Sequence, residues 1–127
     1  MLLSEIESRL NEFKSLDGGW LDGDGQAMSH KGLDWLIGAF LKFYPENLPF
    51  YTYLYPTESG CVRAEWTIGL WEINLEINSY RKNGEFQAWN IKTDELKEDI
   101  FDLSGQNGWS KVVNELSAIW KKTVKEN

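Results

Sequence analysis

The amino-acid sequence predicts a two-layer α+β fold: two N-terminal helices, an antiparallel meander of about five strands, and a C-terminal helix. Residues 62–78 largely alternate between apolar and polar side chains, which is the period of strands with one buried and one solvated face. Apolar residues recur at helical spacing in two stretches before this region and in one stretch after it. A sheet with one apolar face needs helices to cover that face, and this pairing of layers defines the fold class.

Two helices are predicted before the sheet. Ser4 is followed by Glu7 at the spacing of a capping box, so the first helix is expected over about residues 4–16. Ser29 is the predicted N-cap of the second helix, because a stripe of apolar residues begins just after it. That helix should end before Pro45, since the residue preceding a proline is disfavoured in the helical conformation.

The strands are expected after a short connector. Residues 50–55 are aromatic and β-branched enough to form the first strand. The next two strands are predicted to form a hairpin in which Trp66 lies opposite Trp71. This pairing keeps the apolar residues of both strands on one side of the sheet, and it sets Glu65 opposite Glu72 on the other side.

The length of the loop in the following hairpin is chosen so that the apolar residues stay on one side of the sheet. A two-residue Asn-Gly loop would set Ile77 against Asn90, whereas a three-residue loop sets Ile77 against Trp89. The longer loop is preferred because it keeps the tryptophan on the apolar side. It also sets Glu76 opposite Asn90.

Two further elements complete the predicted order. Residues 95–103 fit either a helix or an edge strand, and we predict the strand. Trp109, Leu116 and Val124 belong to an apolar stripe at helical spacing, which predicts a final helix. Lysines near the end of that helix suit the negative end of its dipole.

The composition is that of a folded, acidic chain. The 127 residues are 42% hydrophobic and include seven Trp, so we expect one core and a single domain over residues 1–127. The formal net charge of −7 disfavours nucleic acid and anionic membranes as partners. The first residues lack the features of a signal peptide, and no apolar stretch is long enough to span a bilayer. With Cys61 as the one cysteine, these features favour a cytoplasmic protein.

The sequence predicts no catalytic residue, metal site or cofactor. His30 is the one histidine, and it is expected at an exposed helix start. A catalytic Ser-His pair would have to use this residue as its base, because the sequence contains no other histidine. Cys61 lacks the basic surroundings that activate a thiol, and it is expected to be structural. Asp22 and Asp24 have the spacing of calcium-loop carboxylates but lack the glycine and glutamate that an EF-hand requires. A turn is the main interpretation of this pair, and a looser cation site is the alternative.

Two groups of residues are candidates for binding a partner protein. The first is the outward face of the predicted hairpins, where acidic side chains collect; simple solvation of the sheet is the alternative interpretation of this face. The second is the glycine-rich loop over residues 17–25, although its tryptophan is expected to anchor the loop at the edge of the core. The candidate residues are Trp20, Asp22, Asp24, Glu65, Glu72 and Glu76.

Three hypotheses about function follow. The acidic charge and the lack of a catalytic motif favour a non-enzymatic interaction protein, such as an antitoxin, an immunity-like protein or an accessory factor, that binds a basic protein. The alternative is a small-molecule binder or enzyme with an aromatic pocket between helices and a curved sheet, as in cone-shaped domains resembling the nuclear transport factor 2 family. A homodimer is the third, because Tyr51, Tyr53 and Tyr55 leave aromatic surface available for a subunit contact.

Several short motifs resemble those of a known group of proteins. The motifs are Gly19-Trp20-Leu21-Asp22-Gly23-Asp24-Gly25 before the Ser29 helix, the connector Leu48-Pro49, and Glu65-Trp66-Thr67-Ile68-Gly69 leading into Leu75-Glu76-Ile77. Over about residues 10–91 the chain resembles small bacterial proteins that carry a glycine-tryptophan-aspartate-glycine loop between two helices. That group has no assigned activity, so the resemblance implies a bacterial protein of the mobile gene-cassette type and implies no chemistry. The usual loop has aspartate directly after tryptophan, whereas Leu21 intervenes here.

Overall fold

The computed structural model describes residues 2–126 and has the architecture predicted from the sequence. Two helices precede a five-stranded sheet and one helix follows it. Each strand pairs antiparallel with the next strand along the chain, so the order of strands in the sheet is their order in the sequence. The elements are α1 (Leu3–Phe13), α2 (His30–Phe43), β1 (Tyr53–Pro56), β2 (Val62–Ile68), β3 (Trp71–Asn78), β4 (Asn83–Asn90), β5 (Leu96–Asp102) and α3 (Gln106–Glu126).

The core lies between the helices and one side of the sheet. Buried side chains of the three helices and of the inward positions of the strands form one hydrophobic cluster. Trp66 of β2 and Trp109 of α3 are its largest fully buried members, and the indole N–H of Trp109 donates to the Leu103 carbonyl at 2.9 Å. Burial alternates along β2 and β3, so the other side of the sheet faces away from the helices.

The two N-terminal helices are capped differently. α1 has Leu2 at its N-cap position without a side-chain hydrogen bond, so the predicted capping box of Ser4 and Glu7 is wrong. The helix already includes Ser4, and that hydroxyl therefore cannot occupy the N-cap position. The prediction for α2 is confirmed, because Ser29 Oγ accepts a hydrogen bond from the Gly32 N–H at 3.0 Å.

Some element boundaries differ from the predicted ones. α1 ends at Phe13 instead of residue 16, since the N–H groups of the next three residues bond to carbonyls three positions back, in the manner of a tightened last turn. The first strand begins at Tyr53, where its pairing with β2 begins, and not at residue 50. The stretch 95–103 contains β5, which confirms the predicted edge strand and excludes the helix.

The β2–β3 hairpin keeps the predicted faces but has a shorter loop. Ile68 pairs with Trp71 across a two-residue turn, whereas the prediction placed Trp66 opposite Trp71. Gly69 has φ +59 at the first turn position, which fits a type II′ turn and favours glycine there. A shift of two residues returns every side chain to the same side of the sheet, so the buried set is unchanged. The residue opposite each side chain is different, and Trp66 lies opposite Ile73.

The β3–β4 hairpin corrects the predicted phase of β4. Asn78 pairs with Asn83 and a four-residue loop joins them, so neither of the shorter loops considered is present. Ile77 lies opposite Gly84 and not Trp89, and Trp89 points away from the core with 43% of its surface exposed. A side chain at Gly84 would meet the side chains of Leu75 and Leu103, which already fill the space that the prediction gave to a tryptophan. Glu76 is opposite Glu85, and not Asn90.

A buried hydrogen-bonded group links α2, β2 and the segment before β1. Thr52 Oγ1 lies 2.8 Å from the Tyr44 hydroxyl and accepts from the Trp66 indole N–H at 2.9 Å. The same indole N–H lies 3.1 Å from the Tyr44 hydroxyl. All three side chains are buried, and each polar atom has a partner within the group.

Candidate functional site

The side of the sheet that faces away from the helices is the candidate site, and we call it the open face. Its residues follow from the strand registers, because positions directly opposite each other share a side of the sheet. Three rows of side chains cross at least four of the strands: the first runs Tyr55, Arg63, Glu76, Glu85, Ile100; the next runs Tyr53, Glu65, Asn74, Gln87, Glu98; the third runs Thr67, Glu72, Trp89, Leu96.

The charge of the open face is mostly negative. Glu76 and Glu85 are directly opposite on β3 and β4, where like charges repel. Arg63 forms an ion pair with Glu76 at 3.1 Å, and Glu85 has no ion-pair partner among the described residues. Across the three rows one arginine accompanies the carboxylates of Glu65, Glu72, Glu76, Glu85 and Glu98.

The predicted opposition of Glu65 and Glu72 is wrong. Glu65 lies opposite Asn74, and Glu72 lies opposite Thr67, whose hydroxyl donates to it at 3.1 Å. The cause is the two-residue turn of the β2–β3 hairpin, which moves the register by two positions. Both glutamates remain on the open face, as predicted, and Glu76 is also on it.

Exposed aromatic and aliphatic side chains border the carboxylates on both sides. Tyr53 and Tyr55 of β1 are 49% and 42% exposed, and they lie opposite Glu65 and Arg63. The rings of Tyr51 and Tyr53 are 4.5 Å apart between centroids. On the β4 side Trp89 donates its indole N–H to the Asp94 carboxylate at 3.2 Å. The open face therefore combines acidic groups with aromatic surface.

The twist of the sheet gives the open face a shallow groove of about 800 Å³. The groove crosses β2 to β5 and is open to solvent, so it offers an elongated surface and no enclosed cavity. Its floor contains the Glu76 and Glu85 pair. The other lining residues are Arg63, Asn74, Phe86, Gln87, Glu98, Asp99 and Ile100.

The glycine-rich loop between α1 and α2 is a tight hairpin closed by its own backbone. Leu21 and Asp24 exchange two backbone hydrogen bonds, and Asp22 has φ +48 and Gly23 φ +95, which are the values of a type I′ Asp-Gly turn. Trp20 is half-buried and donates its indole N–H to the Gln26 carbonyl at 2.8 Å. Its ring lies against Gly25, where a side chain would overlap it. Trp20 therefore holds the loop together.

The loop reaches the border of the open face. A surface depression of about 660 Å³ is lined by Asp24 from the loop, by Arg63 and Glu76 from the sheet, and by residues around Glu58 that follow β1. A backbone hydrogen bond from the Gln26 N–H to the Glu58 carbonyl fixes the loop there at 2.8 Å. Of the predicted loop residues, Asp24 therefore shares a depression with Glu76 of the open face.

His30 and Cys61 lie outside the three rows of the open face. His30 is the exposed first residue of α2, and its Nε2 is 2.8 Å from the Lys14 carbonyl oxygen. Cys61 is half-buried just before β2. Within residues 2–126 no cluster of three or more histidine, cysteine, aspartate or glutamate side chains has a geometry suited to a metal ion.

No helix in the described part of the chain combines the length and the apolar character needed to cross a bilayer. Comparison of the sequence with protein-family models and with curated proteins, and comparison with solved structures, returned no match.

Proposed function

We propose that this chain is a protein-binding module, of the antitoxin or immunity-like kind, that uses its open face to bind a basic region of another protein. The observation that carries the proposal is the opposition of Glu76 and Glu85 on the floor of the groove, with a guanidinium beside Glu76 alone. A lysine or arginine from outside, placed between these carboxylates, would relieve the repulsion that the isolated chain retains.

The aromatic border of the groove supports the same function. Tyrosine and tryptophan are enriched in protein interfaces, where they provide large contact areas with few rotatable bonds. A face that served solubility alone would gain nothing from leaving Tyr53, Tyr55 and Trp89 more than two-fifths exposed. Carboxylates attract and orient a basic protein, and aromatic rings around them supply contact area and cation–π partners for it.

A small-molecule pocket between the helices and the sheet has less support. Trp66 and Trp71 face the helices, where such a pocket would have to open, and both are packed in the core with 2% and 4% of their surface exposed. Trp89, which was predicted on the apolar side, is on the opposite side of the sheet. The groove of the open face is shallow and wide, which suits a segment of protein better than a small molecule.

The experiment is affinity capture of proteins from the source cell at low ionic strength, where attraction between charges is strongest. A captured protein is then purified, and its binding to the chain is measured by calorimetry. We expect a basic protein whose affinity falls at least tenfold when Glu76→Gln and Glu85→Gln are combined, since loss of two close charge pairs costs about 1.4 kcal/mol or more. A gene for that protein next to the gene for this chain would support the antitoxin or immunity-like role.

The matched control combines Glu46→Gln and Glu115→Gln, which change the net charge equally but lie outside the three rows of the open face. If the control weakens binding as much as the open-face variant does, the effect is one of overall charge and the proposed surface is wrong. If no basic protein is captured at low salt, the proposed function is wrong.

A further inference from the structure

The two edges of the sheet differ in how they are protected. β1 has four residues, and Arg9 of α1 donates its Nε–H to the Leu54 carbonyl of that strand at 3.1 Å. β5 has seven residues, and α3 packs against it from the core side. An uncovered edge strand presents unpaired backbone groups that can pair with another strand. β5 is therefore the edge at which a further strand can be added.

The register of β4 and β5 shows which backbone groups of β5 are free. The Asn90 N–H donates to the Glu95 carbonyl and the Leu103 N–H donates to the Lys82 carbonyl, both at 2.9 Å. Bonding groups alternate along an antiparallel strand, so the odd-numbered residues of β5 bond to β4. The even-numbered residues point their N–H and C=O groups away from the sheet; within β5 these are Leu96, Glu98, Ile100 and Asp102.

We infer that β5 pairs antiparallel with β5 of a second copy of this chain, with Glu98 opposite Glu98 of the partner subunit. In this register Leu96 lies opposite Ile100 of the partner subunit on the open-face side. Lys97 lies opposite Asp99 of the partner subunit on the core side. The two-fold symmetry of the pair repeats both contacts.

The side chains of β5 favour this register over the two that centre the pair on another outward-pointing residue, Ile100 or Leu96. Leu96 is 49% exposed and Ile100 is 66% exposed, and the pairing covers both of them. A shift that centres the pair on Ile100 would set Glu98 opposite Asp102 of the partner subunit twice, which gives two like-charge contacts where the pair centred on Glu98 has one. A shift that centres it on Leu96 would extend the pairing to Asp94, whose φ of +60 is outside the strand conformation.

One hydrogen bond of the isolated chain, between Ile100 and Asp99, would be replaced when two copies pair. Asp99 Oδ1 accepts from the Ile100 N–H at 2.8 Å, which occupies one of the outward-pointing groups. In the paired state this N–H would donate to the Leu96 carbonyl of the partner subunit, and the Asp99 carboxylate would be released to meet Lys97 of the partner subunit. The Glu98 side chains meet at the symmetry axis and repel each other, so the affinity should be modest.

Disulfide trapping in a Cys61→Ser background tests the register. Directly opposite residues that share ladder hydrogen bonds have Cα atoms about 5.5 Å apart, which is within the range of a disulfide. We therefore expect Glu98→Cys to form a covalent dimer under mild oxidation. Leu96→Cys and Ile100→Cys should each form no disulfide-linked dimer alone, and should form a mixed disulfide dimer when the two proteins are combined.

Sedimentation over a range of concentrations gives a second readout without cysteines. Lys97→Asp and Asp99→Lys should each weaken dimerisation by about tenfold, since each reversal creates two repulsive contacts, and the double variant should recover most of the loss. Removal of the repulsion at the axis by Glu98→Gln should strengthen the dimer. A chain that stays monomeric at millimolar concentration overturns the inference. A dimer whose affinity is unchanged by these substitutions also overturns it, and so does Ile100→Cys alone forming a disulfide-linked dimer as readily as Glu98→Cys.

Discussion

Glu76 of β3 and Glu85 of β4 lie directly opposite each other on the open face, and Arg63 reaches Glu76. This arrangement opposes folding slightly while it favours a cationic ligand. We expect Glu85→Gln to raise the free energy of unfolding by a few tenths of a kcal/mol up to about 1 kcal/mol, because it removes a like-charge pair. Urea unfolding in low and high salt measures this effect, which should shrink as salt screens the charges. Glu46→Gln is the control for charge alone, and an equal gain from it would contradict the explanation.

The buried group of Tyr44, Thr52 and Trp66 should behave as a coupled unit. Tyr44→Phe or Thr52→Val alone leaves the Trp66 indole N–H with one acceptor, so each should cost about 1 kcal/mol of stability. The double variant removes both acceptors and leaves that N–H buried without a partner. Its cost should therefore exceed the sum of the single costs by about 1 kcal/mol or more, measured by a double-mutant cycle. Strict additivity would mean that water or another group satisfies the indole.

Tyr44 should also make stability depend on alkaline pH. Burial raises the pKa of this tyrosine above its usual value of 10.0, although hydrogen bonds from Thr52 and Trp66 act in the opposite direction. In the unfolded chain the hydroxyl ionises first, so its contribution is fully present below pH 10 and is lost as pH rises through the folded pKa. The difference in unfolding free energy between the wild type and Tyr44→Phe should therefore decrease above pH 10. Urea unfolding on both sides of that pH measures it, and a constant difference would contradict the raised pKa.

Two glycine substitutions should change stability in opposite directions. Gly69→Ala should destabilise the chain by about 1–2 kcal/mol, because φ is +59 there and an added Cβ would approach the Thr123 side chain to 2.6 Å. Gly38→Ala lies in α2, where an added Cβ meets nothing within 4 Å, and it should stabilise by about 0.5–1 kcal/mol. Thermal unfolding of the two variants side by side checks both signs. A gain in stability from Gly69→Ala would contradict the assigned turn.

Periodicity predicted the layers of this fold well and the registers poorly. Alternation in β2 and β3 identifies the buried face, but a shift by two residues leaves that face unchanged, so it cannot choose which residues oppose Glu65 or Glu72. The turn decides the register, and Gly69 was the signal that pointed to a two-residue turn. The Glu76 and Glu85 pair was missed for a different reason: the predicted phase of β4 is wrong, so that Asn90 instead of Glu85 was expected opposite Glu76.

Trp89 shows how a strong preference for burial can mislead. The predicted phase of β4 places this large apolar residue in the core, although Glu85 and Gln87, which precede it at strand spacing, are polar. Phe86 and Ala88 occupy the inward positions instead. Alternation along the strand was the better guide, and it would have placed the aromatic border of the candidate site on the correct side.

The hydrogen bond from Arg9 to the Leu54 carbonyl limits how far copies of the chain can associate through their sheets. Because the β1 end is occupied by the chain's own guanidinium, each molecule offers one edge for pairing, where an unprotected sheet would offer two. Under the proposed pairing through β5, edge-to-edge addition would therefore stop at the dimer instead of continuing into a fibre. Loss of Arg9 would leave the short length of β1 as the remaining protection of that edge.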